Sequence, residues 1–93
     1  MLQGNFPMIT LTKIVQTCFG CPSSWEGWDS EGTYYYFRFR WGYLGVDQTQ
    51  EGKEPQALWG KQISDGLDGI LNYYDMKNHL AELFEFPEHS ELS

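Results

Sequence analysis

In residues 33–41, side chains that can bind a ligand alternate with side chains that can build a core. In a β-strand, this alternation places the two types on opposite faces. One set combines phenol rings with guanidinium groups: Tyr34, Tyr36, Arg38 and Arg40. Alternate side chains of a strand point to the same face, so these residues form one stripe. Tyrosine, tryptophan and arginine dominate protein-binding hot spots, and the same side chains stack on bases and pair with phosphates. The stripe is therefore the candidate binding surface, and Trp25 and Trp28 are predicted at its edge.

Three interpretations of this stripe compete. It can bind a protein, it can bind a single-stranded nucleic acid, or it can be covered by a loop while its arginines pair with Glu26 or Asp29. The charge of the chain disfavours nucleic acid, because phosphate binding needs clustered lysine and arginine. The net charge is -7, and residues 46–93 carry all of this excess, with three lysines against ten acids. A protein partner of unknown identity is the favoured prediction.

No residue pattern predicts catalysis, a metal site or a cofactor. The chain has no Gly-x-Ser-x-Gly, no phosphate-binding glycine loop and no His-Glu-x-x-His. Cys18 and Cys21 form a Cys-x-x-Cys, but a structural zinc site needs four ligands, and His79 and His89 are ten positions apart. Residues 64–75 fit a calcium loop poorly, because serine and glycine stand where the first and third ligands belong. We therefore predict a protein that is not an enzyme and binds neither metal nor cofactor.

Composition and length favour one soluble domain over residues 1–93, with residues 1–7 and 86–93 as loose termini. The 41% hydrophobic and 17% aromatic content argues against disorder. No basic segment leads into an apolar run near residue 1, and no window approaches the ~20 apolar residues of a membrane span. In such a chain, Cys18 and Cys21 are expected to be reduced thiols rather than a disulfide. These features predict a cytoplasmic protein without a membrane partner.

Four strands are predicted to position the stripe. Residues 8–17 are rich in β-branched side chains, and their alternation slips near residue 13, which indicates a bulge. Residues 33–41 form the next predicted strand, antiparallel to the first. Either a turn at Trp41 and Gly42, which we favour, leads into a short strand at residues 43–46, or the second strand continues through a glycine bulge. Residues 57–63 give weaker evidence for a further strand.

The connection between the first two predicted strands has turn signals at both ends. Ser23 and Glu26 have the spacing of a capping box, which predicts one helical turn. Residues 29–32 (Asp-Ser-Glu-Gly) fit a type I turn that leads into the strand.

A C-terminal helix is predicted after residue 71. Asn72 is a favourable N-cap, and Pro87 ends the helix. Its apolar residues recur at helical spacing: Met76, Leu80, Leu83 and Phe84.

The predicted fold class is α+β, an antiparallel sheet of three or four strands with one C-terminal helix packed on one face. The predicted core consists of Ile9, Leu11, Tyr35, Phe37, Phe39, Trp41, Met76, Leu80 and Leu83.

Several segments together resemble a pattern found in small uncharacterised proteins of phage and bacterial genomes. They are residues 21–28 (Cys-Pro-Ser-Ser-Trp-Glu-Gly-Trp), Gly32, residues 34–40, Gly42 and residues 65–69. No settled activity belongs to that family, so the resemblance carries no site residue over. It implies an accessory gene product.

These observations predict a small module that binds another protein. The resemblance implies that it is a phage accessory factor that acts on a host protein. The alternatives are a single-stranded nucleic-acid binder that uses the Tyr34–Arg40 stripe, and a structural protein that self-associates through an exposed sheet edge. The oligomeric state is left open.

Overall fold

The computed structural model describes residues 8–18, 23–64 and 70–87, together with the backbone of residues 91–92. In these parts the chain forms strands and one helix. The strands are β1 (Ile9–Cys18), β2 (Ser23–Asp29), β3 (Tyr34–Arg40), β4 (Tyr43–Thr49), β5 (Gln56–Gln62), β6 (Phe84–Glu85) and β7 (Glu91–Leu92). The helix α1 (Tyr73–His79) lies between β5 and β6.

The sheet is an antiparallel meander extended by parallel pairs at its first strand. β1 to β5 pair in sequence order, each antiparallel to the next. β6 and β7 each pair in parallel with β1, and the strand order runs β5-β4-β3-β2-β1-β6. The mixed sheet curls into a half-barrel. We call the face that carries Phe37 the inner face and the face that carries Arg38 the outer face.

The predicted fold class is wrong. An α+β fold with three or four antiparallel strands was expected, but the described residues form a mixed, mostly β structure with one short helix. Two local misreadings account for the difference. The segment at residues 23–29 is a strand rather than a loop, and residues 84–85 pair with β1 rather than extending the helix.

β2 (Ser-Ser-Trp-Glu-Gly-Trp-Asp) was missed because, apart from its two tryptophans, its residues are poor strand formers. Tertiary contacts override that preference. Ser23 is buried, and its hydroxyl accepts a hydrogen bond of 3.0 Å from the Leu71 backbone N–H. A side chain at Gly27 would lie 3.3 Å from both Leu11 and Phe37, so glycine lets these residues pack directly on the strand. β2 therefore separates β1 from β3, and the predicted β1–β3 pairing does not form.

The helix begins where predicted and ends early. The Asn72 side chain accepts a hydrogen bond of 2.8 Å from the Asp75 N–H, which confirms the N-cap. The helix stops at His79, and the Ile9 N–H donates to the Leu83 carbonyl at 2.9 Å. The helical spacing of residues 76–84 is thus divided between a helix and a strand, because pairing with β1 satisfies the backbone of β6.

Several other predictions are confirmed. β1 has a register shift between Leu11 and Lys13, at the irregularity expected near residue 13. A second shift, between Gln16 and Cys18, was not predicted. The Gly32 N–H donates to the Asp29 carbonyl at 3.1 Å, as expected for the turn before β3. Arg40 pairs with Tyr43, so Trp41 and Gly42 form a two-residue hairpin turn, and β5 follows as the expected further strand.

The core lies on the inner face and is largely aromatic. Tyr35 and Phe37 each meet Phe84 edge-on, with ring centroids 5.3 and 5.2 Å apart. Such pairs contribute about 0.5–1.5 kcal/mol beyond the burial of their area. Most of the predicted core is buried here or packs against it, but the prediction for Trp41 is wrong. Its side chain is 62% exposed, because the alternation of β3 ends at Arg40 and Trp41 belongs to the turn.

Some predictions fall partly or wholly outside the described residues. These are residues 1–7, Cys21, residues 65–69 of the calcium-loop alignment, and His89. Cys18 is half-buried at the end of β1. Of the segment predicted as a loose C-terminus, Phe86 packs against the core. Among the described residues, no helix has the length and apolar character needed to cross a bilayer.

Candidate functional site

The structure divides the predicted stripe between two parts of the outer face. Tyr36, Arg38 and Arg40 line an open groove of about 410 Å³. Tyr34 lies outside this lining and pairs instead with Trp28 on β2, with ring centroids 5.6 Å apart. The four residues share a face, as predicted, but Tyr34 does not line the groove with the other three.

The groove is formed by β3, the turn after it, β4 and β5. One aromatic residue of the lining, Trp59 on β5, packs against the core. The six aromatic and charged residues of the lining that lie on β3, on the turn and on β4 are called the Trp41 surface. They are Tyr36, Arg38, Arg40, Trp41, Tyr43 and Asp47. Within the strands Tyr36 lies opposite Asp47, and Arg40 lies opposite Tyr43.

Trp41 is held in an unusual backbone conformation. Its φ is 56° and that of Gly42 is 74°, so both turn residues have the positive φ that a type I′ turn requires. Asparagine, aspartate and glycine favour this position, and a bulky side chain there is strained. The Gln62 side chain donates to the Trp41 carbonyl at 2.8 Å, and the Ile63 N–H donates to the Gly42 carbonyl at 2.9 Å. Contacts from Gln62 and Ile63, at and just past the end of β5, therefore hold the backbone of the turn.

Tyr43 lies across two glycines that pair between β4 and β5. Gly45 and Gly60 are directly opposite each other. A Cβ at Gly60 would collide with the Tyr43 hydroxyl and ring, and a Cβ at Gly45 would lie 3.3 Å from the ring. Because the two glycines have no side chains, the Tyr43 ring packs directly on the backbone, while 48% of the Tyr43 surface stays exposed. Packing of this kind pre-organises an accessible aromatic side chain.

The two arginines have no ionic partner within the described parts of the chain. The carboxylates expected to pair with them are engaged elsewhere. Asp29 accepts hydrogen bonds from the Glu31 and Thr33 N–H groups and from the Tyr35 hydroxyl, each 2.9 Å long. The Arg40 guanidinium instead lies 5.9 Å from the Trp41 ring. Both positive charges are exposed and available to a ligand.

The other part of the outer face is closed by its own contacts. Burial, followed by the negative charge of Glu26 and hydrogen bonding to it, raises the pKa of Tyr34 to about 12. Lys13 lies 5.6 Å above the Trp28 ring, and the Thr12 hydroxyl donates to the Trp28 carbonyl at 3.2 Å. These contacts give the half-buried side chains of Tyr34 and Trp28 partners within the sheet.

Trp25 lies on the opposite face from the groove. It pairs with Phe37 on β3 and is completely buried in the core. Trp25 and Trp28 alternate out of phase, because three positions separate them and the strand has a period of two. The sequence prediction placed both at the edge of the surface because it treated their segment as a loop.

The residues that sequence reasoning missed are Trp41, Tyr43 and Asp47. Trp41 was assigned to the core because it continued the alternation of Phe37 and Phe39. The available signal was the Trp-Gly dipeptide between two strands, since glycine at the second position favours a two-residue turn. A tryptophan in such a turn points into solvent unless another element covers it.

The groups that line the groove are suited to binding. No group of three or more potential metal ligands occurs in the residues that the structure covers. His79 lies exposed on α1 and is not among the groove residues. The groove combines two guanidinium groups, which donate hydrogen bonds to anions, with aromatic rings that pack against apolar groups.

Known proteins neither extend nor restrict this picture. Comparison of the chain with protein-family models, with curated proteins and with solved structures gives no match.

Proposed function

We propose that this chain is a small, non-catalytic protein-interaction module of the cytoplasm that binds its partner through the Trp41 surface. The resemblance to phage and bacterial proteins supports a further step, in which the chain is a phage accessory factor and its partner a host protein. Tryptophan, tyrosine and arginine supply most of the binding energy at protein interfaces. All three residue types converge here on one groove.

The conformation of Trp41 is the observation that carries this proposal. A tryptophan at φ 56° is less favourable than asparagine, and its 62% exposure means that little packing offsets the strain. A side chain that breaks a local preference without stabilising the fold is typical of a functional site. The indole gains packing if a partner covers it.

Affinity capture with matched variants tests the proposal. Wild type, Trp41→Asn and Tyr74→Ala are immobilised and exposed to a bacterial host lysate. Tyr74 is the control because it is a 73% exposed aromatic residue on α1. We expect wild type and Tyr74→Ala to retain the same protein and Trp41→Asn to lose it. Equal capture by all three, or capture by none, contradicts the proposal.

Self-association is a second candidate, favoured by the position of β5. Within the described residues β5 pairs with β4 and has no strand on its other side. All side chains of Gln56–Gln62 are exposed except that of Trp59, which is half-buried. An unpaired strand edge can pair with another chain. A concentration-dependent dimer in light scattering supports this candidate, and a strict monomer at high concentration removes it.

A further inference from the structure

We infer that the occupant of the Trp41 surface is an acidic protein segment in extended conformation, with two carboxylate side chains at alternating positions and an apolar residue at the next alternating position. This inference rests on the proposed function and specifies the chemistry of the partner. It is argued from the spacing and charge of the groove residues.

The arginine spacing matches an extended acidic peptide. Arg38 and Arg40 are two residues apart on one strand and share the outer face. Their Cα atoms are therefore separated by roughly 6.6 Å. The side chains of residues i and i+2 in an extended peptide have the same separation and direction. A segment of the form Asp/Glu-x-Asp/Glu that runs along β3 can present one carboxylate to each guanidinium.

The charges around the groove limit where such a segment can bind. Asp47 lies opposite Tyr36, two positions beyond the Arg38–Gly45 pair and therefore on the same face as Arg38. Its carboxylate repels a third acidic side chain at that end. The acidic residues are thereby confined to the end of the groove that holds Arg38 and Arg40. This asymmetry gives the bound segment a direction.

Trp41 specifies the residue at the next alternating position after the acidic pair. The indole follows Arg40 directly and lies 5.9 Å from its guanidinium. Tyr43, opposite Arg40, adds a second exposed ring. An apolar or aromatic side chain at the next alternating position, two residues past the second carboxylate, faces the sheet and would cover both rings. Exclusion of water from that contact would strengthen the neighbouring charge-assisted hydrogen bonds.

The same charges make a nucleic acid a poorer fit. A single strand carries a phosphate at every nucleotide and needs a continuous row of cations. The outer face offers Arg38 and Arg40, followed by the carboxylates of Asp47 and Glu26. Two carboxylates can be neutralised by these two arginines, whereas a longer polyanion would meet the acids.

Selection from a random peptide library displayed on phage tests the inference. The full chain is used as wild type, as Arg38→Gln/Arg40→Gln, and as Lys53→Gln/Lys61→Gln. The lysine double variant is the matched control, since it removes the same charge from exposed positions outside the Trp41 surface. We expect wild type and control to enrich peptides with two alternating acidic residues and an apolar residue at the next alternating position. The arginine double variant should bind a synthetic enriched peptide roughly a hundredfold more weakly, or about tenfold for each arginine.

Three results would overturn the inference. They are a lack of any enriched peptide, enrichment of peptides without acidic pairs, and acidic peptides that bind the arginine double variant as well as wild type. Binding of a labelled oligothymidine, measured first at low salt, tests the nucleic-acid alternative. If the oligothymidine binds with a steep salt dependence and no acidic peptide is enriched, the occupant is a nucleic acid. Capture that is lost in Trp41→Asn but kept in Arg38→Gln/Arg40→Gln would reject the acidic partner and leave the proposed function intact.

Discussion

The turns at the two ends of β3 solve similar geometric problems with very different residues. Before β3, Asp29 and Gly32 occupy positions that suit them: the carboxylate accepts three hydrogen bonds, and glycine takes a φ of +86°. After β3, Trp41 occupies a position with φ 56° that suits asparagine, and its side chain projects into solvent. The first turn stabilises the fold. The second presents a side chain, and substitutions in the two turns should therefore have opposite effects.

Removal of the Asp29 carboxylate should have the largest effect. Asp29→Ala leaves the Glu31 and Thr33 N–H groups and the buried Tyr35 hydroxyl without their acceptor. We expect the free energy of unfolding to fall by about 2–3 kcal/mol. Urea unfolding followed by circular dichroism measures the change. Asp47→Ala is the control, because this exposed carboxylate on the outer face should change stability by less than about 0.5 kcal/mol. Equal losses would mean that the hydrogen bonds of the first turn are not the cause.

A smaller loss is expected at the glycine of the same turn. A Cβ at Gly32 would have no atom within 4 Å, so only the backbone conformation opposes a side chain. Gly32→Ala should lower the free energy of unfolding by about 1 kcal/mol. Gly32→Asn should cost less, because asparagine tolerates positive φ better than alanine. If the alanine and asparagine variants are equally unstable, strain at this φ does not explain the loss.

The second turn should respond in the opposite direction. Trp41→Asn places a preferred residue at positive φ and removes an indole that contributes little to the core. We expect the free energy of unfolding to stay unchanged or to rise by up to about 1 kcal/mol. The same urea titration measures it. A loss of more than about 1 kcal/mol would show that Trp41 stabilises the fold, and the contrast between the turns would fail.

The smallest effect is a pH dependence at the closed part of the outer face. Burial and the neighbouring Glu26 raise the pKa of Tyr34 from 10.0 to about 12, so folding favours the protonated phenol. The contribution is fully present below pH 10 and is lost as the pH rises towards about 12. Tyr34→Phe should therefore lose less stability than wild type across that range. Parallel unfolding curves of both proteins from pH 8 to 12 measure this, and identical slopes would contradict it.

The sequence predicts those parts of the fold whose signals are local. The Asp29–Gly32 turn, the Asn72 cap and the alternation of β3 each depend on residues within a few positions of one another. β2 could not be predicted in this way. Its serines and glycine are favourable only because Leu71, Leu11 and Phe37 approach them from distant parts of the chain. Only small residues leave space for these neighbours at the two positions, and the small residues thereby let β2 pack within the sheet and pair with β3.

The sequence predicts only part of the candidate site. Alternation correctly places Arg38 and Arg40 together on the outer face, since both belong to one strand. It cannot show that Tyr34 is closed off by Trp28, because that pairing depends on β2. It also assigns Trp41 to the core, since the pattern of β3 continues one residue past the end of the strand. The turn conformation, and with it the exposure of the indole, comes from the pairing of β3 with β4.

Site-specific photocrosslinking tests the central claim most directly. The photoreactive amino acid p-benzoylphenylalanine replaces Trp41 in one protein and Tyr74 in another, and both are irradiated in bacterial cells. The two positions are exposed aromatic residues, one in the β3–β4 turn and one on α1. Our account predicts a discrete crosslinked partner at position 41 that is absent at position 74. No crosslink at position 41, or the same products at both positions, would contradict the claim that the Trp41 surface binds a partner protein.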